Sequence, residues 1–155
     1  MNNIGVSNTN GELEFNENIL DETSTFESLN LESKYLEKKA KVLGVTKESI
    51  IVDKYKVAVI TLSEFFKSNE NSLFDVLKID VEGHELQVLE GLFSDGNQIK
   101  IRLIQLESHN DDMYLSNSKH GDIDQLLNKN GYFEIAKIKH GFGDFAEIIY
   151  EYNNK

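Results

Sequence analysis

The most informative stretch of the chain is Leu73-Phe-Asp-Val-Leu-Lys-Ile-Asp80-Val81, a nearly unbroken apolar run of the kind that forms a strand covered on both faces. It leads directly into residues 82–93, where Leu86, Leu89 and Phe93, with Val88 and Leu92, recur at helical spacing. A polar turn separates this helix from a second buried strand, Ile101–Glu107. Ile123–Asn130 then reads as a short amphipathic helix stopped by Asn130-Gly131. Tyr132–Ile138 and Phe145–Tyr152 predict a closing antiparallel pair around His140-Gly-Phe-Gly143, most simply a hairpin turn. Strand–helix–strand–helix–strand–strand predicts an α/β fold whose sheet is parallel through its middle.

The first half is less regular. Ile4–Val6, the turn Asn8–Gly11, and Leu13 and Phe15 alternating with acids read as strand, turn, strand. Residues 16–32 are polar and acidic without steady periodicity, which predicts a loop. Tyr35, Leu36, Val42 and Leu43 predict a helix from Ser33 to Val45, with Gly44 near its stop. Two β-branched runs, 50–52 and 57–61, are split by Asp53-Lys-Tyr-Lys56, which reads as a hairpin. Leu62–Phe66 reads as a helical turn opening at Thr61 or Ser63.

At 155 residues the chain is one domain's length, and 39% hydrophobic with 28% charged residues is an ordinary globular composition. Zero Cys excludes disulfides, thiolate metal sites and cysteine nucleophiles. Every apolar run is too short to cross a bilayer, and MNNIGVSNTN has neither a basic nor an apolar leader region, so a cytoplasmic location is expected. The net charge of −11 repels a phosphate backbone and speaks against nucleic-acid binding. It is unevenly spread. Residues 1–32 hold seven acids and no Lys or Arg, whereas residues 33–56 hold seven lysines against three acids. The lysine-rich stretch reads as a solvated helix face, or else as a local anion-binding patch.

In an open α/β sheet, ligands sit outside the carboxyl ends of the strands. That rule selects Asp80, Glu82, His84 and Glu85 after the first buried strand, and Glu107, Ser108 and His109 after the second. If the strands are neighbours, two carboxylates and an imidazole converge, able to take a proton from a hydroxyl or to hold a divalent cation. Each residue also has a structural reading. Asp80 and Glu82 flank a helix start, where carboxylates cap orphan N–H groups, and Glu85 can do the same. His109 can be a hydrogen-bonded surface imidazole. Lys78, inside an apolar strand, should snorkel or pair with an acid. Gly83 in a first helical turn points to a close-approaching backbone or ligand, or to a tight strand-to-helix turn. No phosphate loop is present, and nothing as dense in ligands as HExxH marks a metal-dependent hydrolase.

Leu77-Lys-Ile-Asp-Val-Glu-Gly-His-Glu-Leu-Gln-Val-Leu-Glu-Gly91 resembles the signature of the FkbM family of S-adenosylmethionine-dependent methyltransferases. The likeness extends to Ile4–Ser7 with Gly11–Phe15, to Thr61–Glu64 and to Ile104–His109, and thins over residues 16–56, a variable insertion. The resemblance implies a class I methyltransferase (Rossmann-like) sheet and O-methylation of a hydroxyl on a sugar, glycan or natural product. By the same resemblance Asp80, Glu107 and His109 are candidate catalytic groups, with Asp80 first as base, and Asp80, Glu82 and Gly83 are candidate S-adenosylmethionine contacts. In such folds a Gly-rich loop after the first strand and an acid ending the second grip the cofactor. Both would precede Met1, so residues 1–155 resemble a partial methyltransferase domain, expected to bind the cofactor weakly or not at all when alone. Lacking the first two strands, the sheet would leave the Leu73–Val81 strand as an unpaired apolar edge. The 50–61 hairpin, the 4–15 segment, a second copy or an upstream polypeptide would have to cover it. The alternative is a non-catalytic remnant acting as an oligomerising or partner-binding module.

Overall fold

The computed structural model describes residues 3–67, 74–96, 101–109, 111–115, 120–140 and 145–153. These form a mixed α/β structure with two sheets and, among the described residues, four helices. In the first sheet a long strand, β3 (Ile51–Ile60), lies between β1 (Gly5–Val6), which runs parallel to it, and β2 (Gly11–Asn18), which runs antiparallel. The expected turn at 53–56 is absent: β3 continues straight through it. The polar run is a solvent-facing ladder, Asp53 to Lys56 pairing with Glu17 to Glu14, with Lys54 Nζ 3.1 Å from Glu14 and Tyr55 against Phe15. Nor does residue 16 begin a loop, because β2 runs on to Asn18. Short 3-10 turns follow at Asp21–Thr23 and, before β3, at Lys47–Ser49.

Helix α1 (Lys34–Leu43) starts where Ser33 accepts the Leu36 N–H at 3.0 Å, and ends at Gly44 in the left-handed region. Helix α2 (Leu62–Lys67) is opened by Thr61, whose hydroxyl accepts the Glu64 N–H. Both agree with the sequence pattern.

The second sheet has the order β4 (Val76–Ile79), β5 (Leu103–His109), β7 (Phe145–Tyr152), β6 (Tyr132–His140). β4 and β5 are parallel, joined through helix α3 (Glu85–Phe93), and the closing pair is antiparallel, as the pattern predicts. Helix α4 (His120–Lys129) precedes β6. Residues 71–73, which include the start of the Leu73–Val81 run, and residues 141–144, which include most of the expected His140–Gly143 turn, lie outside the described residues. The core gathers Ile79, Ile104, Leu106, Ile148 and Tyr150 from one face of this sheet under Leu62 and Phe66 of α2, Val88, Leu89 and Leu92 of α3, and Ile123 and Leu127 of α4. The other face is open, correcting the expectation of a strand buried on both sides. The row Val76–Leu103–Glu151–Phe133 lies on it, with Val76 55% and Phe133 48% exposed. An unbroken apolar run does not report that one of its faces lacks a covering layer.

β4 pairs only with β5 among the described residues, so its outer edge carries no strand. Neither the 4–15 segment nor 51–60 covers that edge, since these two pair with each other instead. Lys78 on β4 is exposed and salt-bridged to Asp80 at 3.1 Å and Glu147 at 3.0 Å, the acid pairing expected of it. A lysine on an edge strand also discourages indiscriminate strand addition. A second, smaller buried cluster of Leu29, Leu36, Ala40, Ile50, Met113 and Tyr114 ties α1 to the segment after β5.

Candidate active site

β4 delivers Asp80 to its carboxyl end, and β5 delivers Glu107 beside it, because the register pairs Ile79 with Leu106 one step earlier. The chain then turns sharply into α3. Glu82 sits at φ 51°, the one non-glycine residue in the left-handed region among the described residues, and Gly83 follows at φ 94°. This turn folds the Glu82 carboxylate back over the rim. One oxygen each from Asp80, Glu82 and Glu107 lie within 4.8 Å of one another. Asp80 is exposed, while Glu82 and Glu107 are half-buried. The convergence anticipated from strand adjacency is therefore present for the carboxylates. His109 closes β5 opposite Phe145, and its side chain lies outside the described set. Ser108 is buried, on the face of β5 away from this rim.

The helix start uses its acids unequally. Glu85 reaches back to accept the Gly83 N–H at 3.1 Å, in the manner of a capping acid. Glu82 instead accepts the Tyr114 hydroxyl at 2.7 Å, and its own carbonyl accepts the Thr25 hydroxyl at 2.8 Å. Gly83 is explained by the turn and by a close neighbour: a Cβ there would stand 2.6 Å from Cδ2 of Tyr114. Of the two ligand-or-turn readings of Gly83, the structure supplies the turn, with an aromatic ring in the place of approach.

His84 occupies the N-cap position of α3 without capping it, and is buried. Its Nδ1 is 2.5 Å from Glu27 Oε1 and its Nε2 is 2.9 Å from Ser7 Oγ, all three residues being nearly or wholly out of solvent. The arrangement has the order of a nucleophile, base and acid, but Ser7 has no exposed surface for a substrate to reach. It fastens instead: β1, the 25–29 segment and α3 meet there, and Asn8 adds a hydrogen bond to Glu90 at 2.8 Å. Sequence reasoning missed Ser7, Thr25, Glu27 and Tyr114. Their partners lie 77, 57, 57 and 32 residues away, so no local pattern marks them.

Electrostatically the rim is acidic, with one cation in place. Lys78 is held above its usual value by its hydrogen bond to Glu147 first and Asp80 next, so it stays charged, and the same bond draws Glu147 below the ordinary range. Burial first, and the Glu82 charge second, push the Tyr114 hydroxyl far above its usual value, so it stays a neutral donor. Two clefts are distinct from this rim. One, of about 470 Å³, is lined by Ser28, Leu31, Lys47, Val52 and Lys54 among others, and one of about 390 Å³ lies between α3 and α4.

In open α/β sheets ligands bind outside the carboxyl ends of the strands, and this strand–turn–helix junction presents its carboxylates at that edge. The family model described as the methyltransferase FkbM domain matches residues 1–133, so the chain belongs to the FkbM methyltransferase family. No curated protein and no solved structure matches it.

Proposed function

We propose that this chain carries the acceptor side of an S-adenosylmethionine-dependent O-methyltransferase, with the hydroxyl of a sugar, glycan or natural product as acceptor, and that its two sheets are the flanks of a Rossmann-like sheet. The observation that supports this reading most directly is the convergence of Asp80, Glu82 and Glu107 at the β4–β5 rim, inside the matched region. Carboxylates suit both partners of such a reaction, since they accept hydrogen bonds from hydroxyls and favour a sulfonium cation nearby. Bound S-adenosylmethionine supplies an electrophilic methyl group, and Asp80 and Glu82 would face it.

The chain's own residues supply orientation and proton transfer. Asp80, the most exposed of the three acids, accepts the hydroxyl proton as the new C–O bond forms. Lys78, 3.1 Å away, balances its charge. Glu107 and Glu82 accept hydrogen bonds from neighbouring hydroxyls and hold the nucleophile in line. His109, at the end of β5, is the second candidate base.

The outer edge of β4, unpaired among the described residues, supports a second reading, a partner-binding or oligomerising module that recruits a strand there. One experiment separates the two. The tagged chain is purified from its native source with whatever it binds, and release of S-adenosylhomocysteine is measured with methyl glycosides as acceptors. Turnover that is lost in Asp80→Asn supports the first reading. A co-purifying partner without turnover supports the second.

A further inference from the structure

Tyr114 lies beyond β5 in a segment fixed from several sides. Asn30 N–H donates to the Met113 carbonyl at 2.8 Å, Leu115 N–H donates to the Ser28 carbonyl at 2.9 Å, and the Ser33 hydroxyl donates to Asp112 at 2.5 Å. The Tyr114 ring, 2% exposed, is packed with Leu29, Leu36, Ala40, Ile50 and Met113. One edge of that ring fills the space above Gly83 that a side chain would need. Its hydroxyl reaches the Glu82 carboxylate at 2.7 Å.

Glu82 has two reasons to leave the rim. Its φ of 51° is disfavoured for a residue with a Cβ, and its carboxylate stands within 4.8 Å of two others. Something must over-determine the conformation. Tyr114 does so twice, through the ring on Gly83 and the hydroxyl on Glu82, while Thr25 anchors the Glu82 carbonyl at 2.8 Å.

We propose that Tyr114 is a positioning residue for the rim: it holds the Glu82 carboxylate facing Asp80 and Glu107 and locks the turn that carries it. Its catalytic meaning rests on the methyltransferase reading. A carboxylate with one lone pair fixed by an internal donor keeps its remaining lone pairs for a ligand and loses the freedom to swing into solvent.

Tyr114→Phe tests this, because it keeps the ring on Gly83 and removes only the hydroxyl. In protein labelled with carbon-13 at its glutamate side-chain carboxyls, the Glu82 signal is identified by its loss in Glu82→Gln. The expected result is a displaced Glu82 signal in Tyr114→Phe with native circular dichroism. A slowly exchanging Tyr114 hydroxyl proton should be visible in the unsubstituted protein and lost in Tyr114→Phe. An unmoved Glu82 signal overturns the proposal. Should Tyr114→Phe not fold, Glu82→Gln on the intact ring decides the matter: the Tyr114 hydroxyl proton must shift, and an unchanged resonance overturns the contact. With the protein from its native source, Tyr114→Phe should lower kcat for S-adenosylhomocysteine release by about tenfold to a hundredfold, with a rise in KM for the donor that Glu82 would face. Unchanged kcat overturns the positioning role. Absence of turnover before any substitution sinks the methyltransferase reading and leaves the Glu82 signal to judge Tyr114.

Discussion

Replacing Gly91 by alanine pits intrinsic helix propensity against packing, and the two give opposite signs. Gly91 is buried in α3, and in an unobstructed helix interior Gly→Ala stabilises by about 1 kcal/mol. Here the new Cβ would stand 2.1 Å from the Ser7 carbonyl oxygen and 3.2 Å from Asn8 Cα, whereas ordinary contact begins at 3.4 Å, so α3 and the end of β1 must part by roughly 1 Å. Neither side yields cheaply. The Ser7 N–H is bonded to the Ile60 carbonyl at 3.2 Å and its hydroxyl to buried His84 at 2.9 Å, while α3 is seated through Val88, Leu89 and Leu92, each at most 3% exposed. Overpacking costs about 1–3 kcal/mol. A buried hydrogen bond left unmade costs about 1–3 kcal/mol more. After the propensity gain, a net loss of about 3 kcal/mol is expected, lowering the midpoint of thermal unfolding by about 6–12 °C in a chain of this size. Circular dichroism melts read it directly. Gly121→Ala is the control: that glycine is also helical, with nothing within 4 Å of its would-be Cβ, and the substitution should be neutral or slightly stabilising. A Gly91→Ala protein as stable as the Gly121→Ala protein would refute the close approach of α3 to β1.

Two further outcomes follow from buried groups. Glu27→Ala leaves His84 Nδ1 without its 2.5 Å acceptor and should cost about 1–3 kcal/mol in urea unfolding, with Glu27→Gln costing less; equal stability of all three proteins would contradict the fastening role. The hydroxyls of Tyr114, Tyr132 and Tyr150 are each pushed above the ordinary value of 10.0, chiefly by burial. A raised folded value means that the unfolded chain releases these protons first. Their contribution is therefore intact below pH 10.0 and declines as pH rises beyond it. The share of tyrosinate absorbance that is lost in Tyr114→Phe, Tyr132→Phe and Tyr150→Phe should then appear together with loss of helical circular dichroism, and ionisation of these three tyrosines within a still-native fold would contradict the burial.

The local grammar of the chain was readable where one segment carries its own signal. Ser33 and Gly44 bound α1, Thr61 opens α2, and the run ending at Asp80 passes into α3 as its periodicity requires. Strand adjacency placed Asp80 and Glu107 at one rim for the same reason, since both close apolar runs. The residues 53–56 misled because a polar tetrapeptide between β-branched runs looks like a turn. Its strand character comes with the cross-strand partners on β2, Glu14 beside Lys54, Glu12 beside Lys56 and Phe15 against Tyr55, which no window on 53–56 contains. Lys78 was legible as acid-paired, but the openness of its sheet face was not, because it depends on which layers surround the sheet. The fastening of the rim by Ser7, Thr25, Glu27 and Tyr114 lies wholly in long-range contacts, which a pattern of spacing cannot encode.

In the proposed reaction Asp80 is the proton acceptor. Release of S-adenosylhomocysteine by the protein from its native source, compared between the unsubstituted and Asp80→Asn chains at matched folded fraction, tests that role directly. A loss in kcat of about a hundredfold or more is predicted, with an unaltered melting curve because Asp80 is exposed. Equal turnover by the two chains would remove Asp80 from the chemistry.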